Sequence, residues 1–97
     1  MSYSFNSCSN LTNVTNINEN VTNMYGTFVN CTNLVSVSDI PNNVLDMSFT
    51  FLNCKSLINS PKLNENVTNM FSTFANCSSL VNAPVIPNSV VDMNHTF

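Results

Sequence analysis

Charge is scarce in this chain. Only seven of its 97 residues are charged, for a formal net charge of -3. Lys55 and Lys62 are the only basic side chains apart from His95. Without a basic patch the chain is not expected to bind nucleic acid. No apolar run approaches the ~20 residues of a membrane helix, so no membrane insertion is expected. No charged-then-apolar leader resembles a signal peptide. No Cys-x-x-Cys pair or comparable local cluster is present, so no metal and no cofactor are expected. The single histidine has no serine or cysteine placed beside it as a nucleophile would require. With no visible acid, base, nucleophile or metal cluster, no enzyme is expected.

What the chain has in excess is asparagine, at twenty residues, with abundant serine and threonine. Polar, uncharged composition of this kind usually signals low complexity or disorder. A strict periodicity overrides that reading. Phenylalanine recurs at Phe5, Phe28, Phe51, Phe74 and Phe97. Cysteine recurs at Cys8, Cys31, Cys54 and Cys77, and leucine at Leu11, Leu34, Leu57 and Leu80. Methionine recurs at Met1, Met24, Met47, Met70 and Met93. Each column repeats every 23 residues without a gap. One apolar set per unit is the pattern of a repeat protein whose rungs stack into a continuous core.

Within the second rung the apolar residues are Val21, Met24, Phe28, Cys31, Leu34, Val37 and Ile40. Steps of three and four mimic an amphipathic helix. Recurrent Pro41, Pro61, Pro84 and Pro87 exclude a long one. Asn, Ser, Thr and Val, mediocre helix formers, dominate the outward positions. The spacing therefore predicts a coil that turns at corners. Short extended pieces are expected near Val21 to Met24 and near Leu34 to Ile40, with a short helical or 3₁₀ turn through Tyr25 to Asn30. Successive rungs should pair as parallel strands roughly 4.8 Å apart. Pro61 and Pro84 align with Thr15 and Ser38, so the amide of that column is not expected to be a required ladder donor. Pro41 and Pro87 align with Asn18 and Asn64 and should mark a corner.

The fold class expected is a β-rich solenoid: a leucine-rich-repeat-like, right-handed coil of four 23-residue rungs, with short parallel strands and short helical or 3₁₀ turns. Residues 1–97 form one domain, too small to be rich in core when isolated. Its rungs run approximately 1–20, 21–43, 44–66 and 67–89, with a partial rung at 90–97. Met1 stands in the methionine column and Phe97 in register with Phe5, and neither end carries a polar cap. The chain is therefore expected to be a window from a longer array, or a subunit that stacks head to tail.

A longer period of 46 residues overlies the first. Asn18 to Asn20 and Asn64 to Asn66 read Asn-Glu-Asn, whereas Pro41 to Asn43 and Pro87 to Ser89 read Pro-Asn-Asn or Pro-Asn-Ser. Asn23 and Asn69 alternate with Asp46 and Asp92. The unit of duplication is a pair of rungs.

The strings NVTNMFSTFANCSSL (Asn66 to Leu80) and IPNSVVDMNHTF (Ile86 to Phe97) resemble BspA-like leucine-rich repeats, found in surface proteins of bacteria and some protists. The Phe-x-x-Cys-x-x-Leu core occurs four times, and the resemblance covers the whole chain. It is similar, too, to surface-lipoprotein repeats of unknown function. The family's usual Ile-Gly-x-x-Ala-Phe segment reads Met-x-x-x-Phe here. The resemblance implies a leucine-rich-repeat solenoid at an extracellular or cell-surface location, and carries over no binding residues.

The remaining candidates have bland readings beside functional ones. The cysteine column suits disulfides if stacked neighbours come within reach. As small residues flanked by Phe and Leu, they read better as buried thiols. Asp46 and Asp92, two rungs apart, read as turn formers rather than ion ligands. Asn-x-Ser/Thr sequons occur at Asn10, Asn13, Asn20, Asn30, Asn66, Asn76 and Asn94. The asparagine columns Asn30, Asn53, Asn76 and Asn20, Asn43, Asn66 read as side-chain ladders that satisfy backbone groups. Most suggestive is one ring per rung after each methionine: Tyr3, Tyr25, Phe49, Phe71 and His95. Its place alternates between the second and first residue after Met. These rings are either packed against adjacent rungs or form an exposed stripe that binds a partner.

The function these features imply is a non-enzymatic extracellular structural or adhesive repeat, associating with itself head to tail or laterally into fibres. The alternative is a surface recognition module for a host protein or glycan.

Overall fold

The computed structural model describes residues 2–97. The place of Met1 in the methionine column lies outside them. Two strands are defined, β1 (Asn13–Val14) and β2 (Ser36–Val37). They pair in parallel, Asn13 opposite Ser36 and Val14 opposite Val37. Isolated parallel bridges join Asn23 to Asp46, Asp46 to Asn69, Asn69 to Asp92, and Asn59 to Asn82. Every one of these pairings has the 23-residue offset of the sequence columns. Each unit therefore lies against the next in register.

Strands stay short because the chain turns before a ladder can lengthen. The segment expected to be a helical or 3₁₀ turn, residues 25–30, is neither: it is a chain of interlocked β-turns. Thr27 N–H donates to Met24 O, Val29 to Gly26 O and Cys31 to Phe28 O, at 3.1–3.3 Å. The third residue of the first turn, Gly26, has φ +61°, and that of the third turn, Asn30, has φ +60°. Positive φ at that place is the requirement of a type II turn, and it breaks a helical path. The same pattern recurs at Phe49 and Asn53, at Ser72 and Asn76, and at Tyr3 and Ser7.

The turns leave alternate amides pointing at the next rung. Met24, Gly26, Phe28 and Asn30 donate to Asp46, Ser48, Thr50 and Leu52 carbonyls at 2.8–2.9 Å. Tyr25 N–H goes to Asn23 Oδ1 at 2.8 Å. Every backbone donor from Met24 to Cys31 is thus satisfied, as burial demands. Other amides of the rung point the opposite way: Val35 donates to Thr12 O at 2.7 Å and Leu45 to Thr22 O at 2.9 Å, whereas Ile40 donates forward to Lys62 O at 2.9 Å.

The core follows the columns. Met24, Phe28, Cys31, Leu34, Val44, Met47, Phe51, Cys54, Leu57, Val67 and Met70 are fully buried. The phenylalanine rings of successive rungs stack nearly parallel, with interplanar angles of 6–13° and centroids 5.3–5.7 Å apart. Buried threonines of the neighbouring column seal the turns. Thr50 Oγ1 lies 2.8 Å from Met24 O and 2.7 Å from Met47 O, its proton shared between them.

Prolines act where expected, with one correction. Pro41 and Pro87 open turns closed by Val44 and Val90, whose amides bond back to the proline carbonyls. Ser38, however, does use its amide, donating to Val14 O at 2.8 Å. The column is a ladder donor until Pro61 and Pro84 remove the N–H.

Candidate functional site: an aromatic ladder and a proline-lined groove

Chemistry-bearing side chains are kept apart by the stack. Among the described residues, no group of three or more His, Cys, Asp or Glu comes together to hold a metal ion. All four cysteines are free thiols, Cys31 and Cys54 buried, Cys8 and Cys77 half-buried. Each thiol but the first donates to a phenylalanine carbonyl of the preceding rung: Cys31 to Phe5 at 2.9 Å, Cys54 to Phe28 and Cys77 to Phe51 at 3.1 Å. Burial raises the pKa of Cys31 and Cys54, and pushes Cys77 up to about 11. These thiols are poor nucleophiles, since reactivity needs the thiolate.

Asp46 and Asp92 accept from the amides two residues on, Ser48 at 2.8 Å and Asn94 at 3.0 Å. Asn23 and Asn69 make the same turn with Tyr25 and Phe71. The Asn/Asp column is one of turn formers whose side chains fix the ring that follows.

Those rings form one continuous ladder. Tyr3 meets Tyr25 at 5.5 Å, Tyr25 meets Phe49 at 5.3 Å, Phe49 meets Phe71 at 5.2 Å, and Phe71 meets His95 at 5.7 Å. Interplanar angles of 59–70° put edge against face, the arrangement the ring quadrupole favours. Tyr3 and His95 are exposed, and Tyr25, Phe49 and Phe71 are half-buried. Both readings of the stripe therefore hold at once: the rings pack on neighbouring rungs and still present a surface. The Tyr25 phenol is raised in pKa, chiefly by the neighbouring Tyr3 hydroxyl.

Asparagines line another edge. Asn53 Nδ2 donates to Asn30 Oδ1 at 2.7 Å, and Asn76 Nδ2 to Asn53 Oδ1 at 2.9 Å. Asn43 and Asn66 instead reach the backbone carbonyls of Glu19 and Asn42 in the preceding rung. All seven sequon asparagines are exposed. The Nδ2 atoms of Asn66 and Asn76, where a glycan would attach, are engaged in these bonds.

One feature has no counterpart in the sequence reading. Among the described residues, no backbone hydrogen bond joins residues 60–66 to residues 83–88. An open groove of about 1260 Å³ lies there, with Pro61, Lys62, Leu63, Glu65, Pro84 and Ile86 in its walls. A smaller one of about 590 Å³ continues beside Glu19, Asp39 and Pro41. Four of the seven charged side chains, Glu19, Asp39, Lys62 and Glu65, sit on this flank. The two aligned prolines were the available signal: each deletes a donor, and between residues 60–66 and 83–88 no other backbone bond replaces it, whereas beside Pro61 the Ile40 amide still reaches Lys62 O.

No family model matches the chain, and no curated protein or solved structure shows significant similarity to it.

Proposed function

We propose that the chain is a leucine-rich-repeat-like, right-handed solenoid of the kind its resemblance to BspA-like repeats implies, and that it serves as a non-enzymatic structural or adhesive element outside the cell. One observation carries this reading. Each rung satisfies its neighbour through the same set of bonds, from the forward amides of Met24, Gly26 and Phe28 to those of Met47, Phe49 and Phe51 and of Met70, Ser72 and Phe74. A backbone surface that repeats in this way is built for further stacking, because each rung offers the next the same row of donors and acceptors. Fibres assembled end to end follow from it. The near-absence of charge supports the same reading, since little repulsion opposes association. Among the described residues no helix is long and apolar enough to cross a membrane.

Sedimentation over a range of concentrations, with negative-stain microscopy, tests this. Concentration-dependent linear species and filaments are expected. A soluble monomer at high concentration would remove the fibre reading.

A second reading, a recognition module for a host protein or glycan, is favoured by the half-exposed ring ladder from Tyr3 to His95. Dispersed monomers with a measurable affinity for glycans on an array, lost on replacing Tyr25 and Phe71 by Ala, would favour it over fibres.

A further inference from the structure

Two features on different flanks alternate from rung to rung with the same 46-residue period. The first is the ring ladder. Rungs 1–20 and 44–66 place the ring second after methionine, at Tyr3 and Phe49. Rungs 21–43 and 67–89 place it first, at Tyr25 and Phe71. In the three inner rungs the place without a ring holds a small residue, Gly26, Ser48 or Ser72. All three are buried.

Gly26 is a seat for a ring of the adjoining rung. A Cβ added to Gly26 would fall 2.5 Å from Tyr3 Cε1 and 2.8 Å from Tyr3 Cδ1. A Cβ there would force the Tyr3 ring to move, so the ring lies directly on the Gly26 backbone. Ser48 is only 2% exposed, and its hydroxyl has no hydrogen-bond partner among the described residues. The core phenylalanines illustrate the alternative: rings that share one column stack face to face at 6–13°. Alternating columns turn the outer rings to 59–70° and hold them edge to face.

The second feature is the corner. Asn64 Nδ2 donates to Pro41 O and, at 3.1 Å, to Val44 O. In the alternate rungs Pro41 and Pro87 occupy that column and carry no donor. Asn64 therefore adds a donor from the asparagine rung to the Pro41 and Val44 carbonyls of the proline rung before it, beside the Val44 amide that already reaches Pro41 O.

We propose that the rungs are of two non-interchangeable kinds and that each kind docks only on the other, so the partner fitting any rung face of this protein, whether in its own array or in a second copy, is a rung of the opposite kind. This goes beyond the fibre reading and stands without it, because the contacts lie within one chain. It makes the pair of rungs the smallest unit that can be added or removed without a misfit.

Two variants of the whole chain test it in denaturant melts. In the first, the residues after one methionine are exchanged, Tyr25→Gly with Gly26→Tyr, which puts three successive rings in one column. In the second, the two residues after every methionine are exchanged, which keeps the alternation but inverts it. The single exchange is expected to lower the folded-to-unfolded ratio about tenfold or more, or to prevent folding. The complete exchange, which contains the same two substitutions, is expected to recover more than half of that loss. A single exchange with an unchanged midpoint, or a complete exchange that recovers less than half, overturns the proposal.

Discussion

The thiol of Cys54 donates to the carbonyl of Phe28, 3.1 Å away in the preceding rung. The bond needs the proton, and burial holds it there by raising the thiol pKa. Two columns, cysteine and phenylalanine, are thereby tied together across rungs as well as along the chain.

Alkali should therefore unfold this protein. Folded thiol pKa values are raised, so their contribution is complete below the unfolded value, near 8.5, and is lost as pH rises above it. Between pH 8.5 and 11, urea midpoints are expected to fall, by up to about 1.4 kcal/mol of stability per pH unit for one fully buried thiol. Cys54→Ala should flatten the slope while lowering stability at neutral pH. An unchanged slope would show that Cys54 is not protonated by burial.

Thiol reagents give a separate check. Cys31 and Cys54 should react only after unfolding, whereas half-buried Cys8 and Cys77 should react slowly in the native chain. All four should be titratable in unreduced, unfolded protein; fewer would reveal a disulfide.

Phe51→Ala should cost about 3–5 kcal/mol, the range for emptying a buried aromatic site. The ring is fully buried between Phe28 and Phe74, at centroid distances of 5.6 and 5.3 Å. A loss below about 1 kcal/mol in denaturant melts would refute that packing.

Asn53 serves two ends, and two substitutions separate them. Its amide bridges Asn30 and Asn76, and its φ is +62°. Asn53→Gly loses the bridge but removes the Cβ from the left-handed region. Asn53→Ala loses the bridge and keeps a Cβ there, so it should be about 1–2 kcal/mol less stable than Asn53→Gly. Equal thermal shifts for the two would mean that the backbone strain is not felt.

The parallel in-register stack and its core were legible in the sequence because Phe28, Cys31, Leu34 and their equivalents never change column. The turns were not. Left-handed backbone is normally announced by glycine, and here Tyr3, Phe49, Ser72 and His95 adopt it with Gly26 as the lone glycine of the set. Steps of three and four then read as helix, although they reflect interlocked β-turns. The ring ladder was visible as an alternation, but edge-to-face contact depends on rung spacing that no local pattern records. The groove was hidden for a different reason. Pro61 and Pro84 signal a missing donor, and only the neighbouring rungs determine whether the backbone closes over the gap or opens.

The reversal of amide direction around each rung has an electrical consequence. Met24, Gly26, Phe28 and Asn30 point their N–H groups toward one end of the stack, while Val35, Ser38 and Leu45 point theirs toward the other. In an α-helix all peptide dipoles align, and charge accumulates at the termini. Here Val35, Ser38 and Leu45 oppose part of that alignment while Ile40 adds to it, so each rung contributes a smaller net dipole along the stack than a run of aligned peptides would.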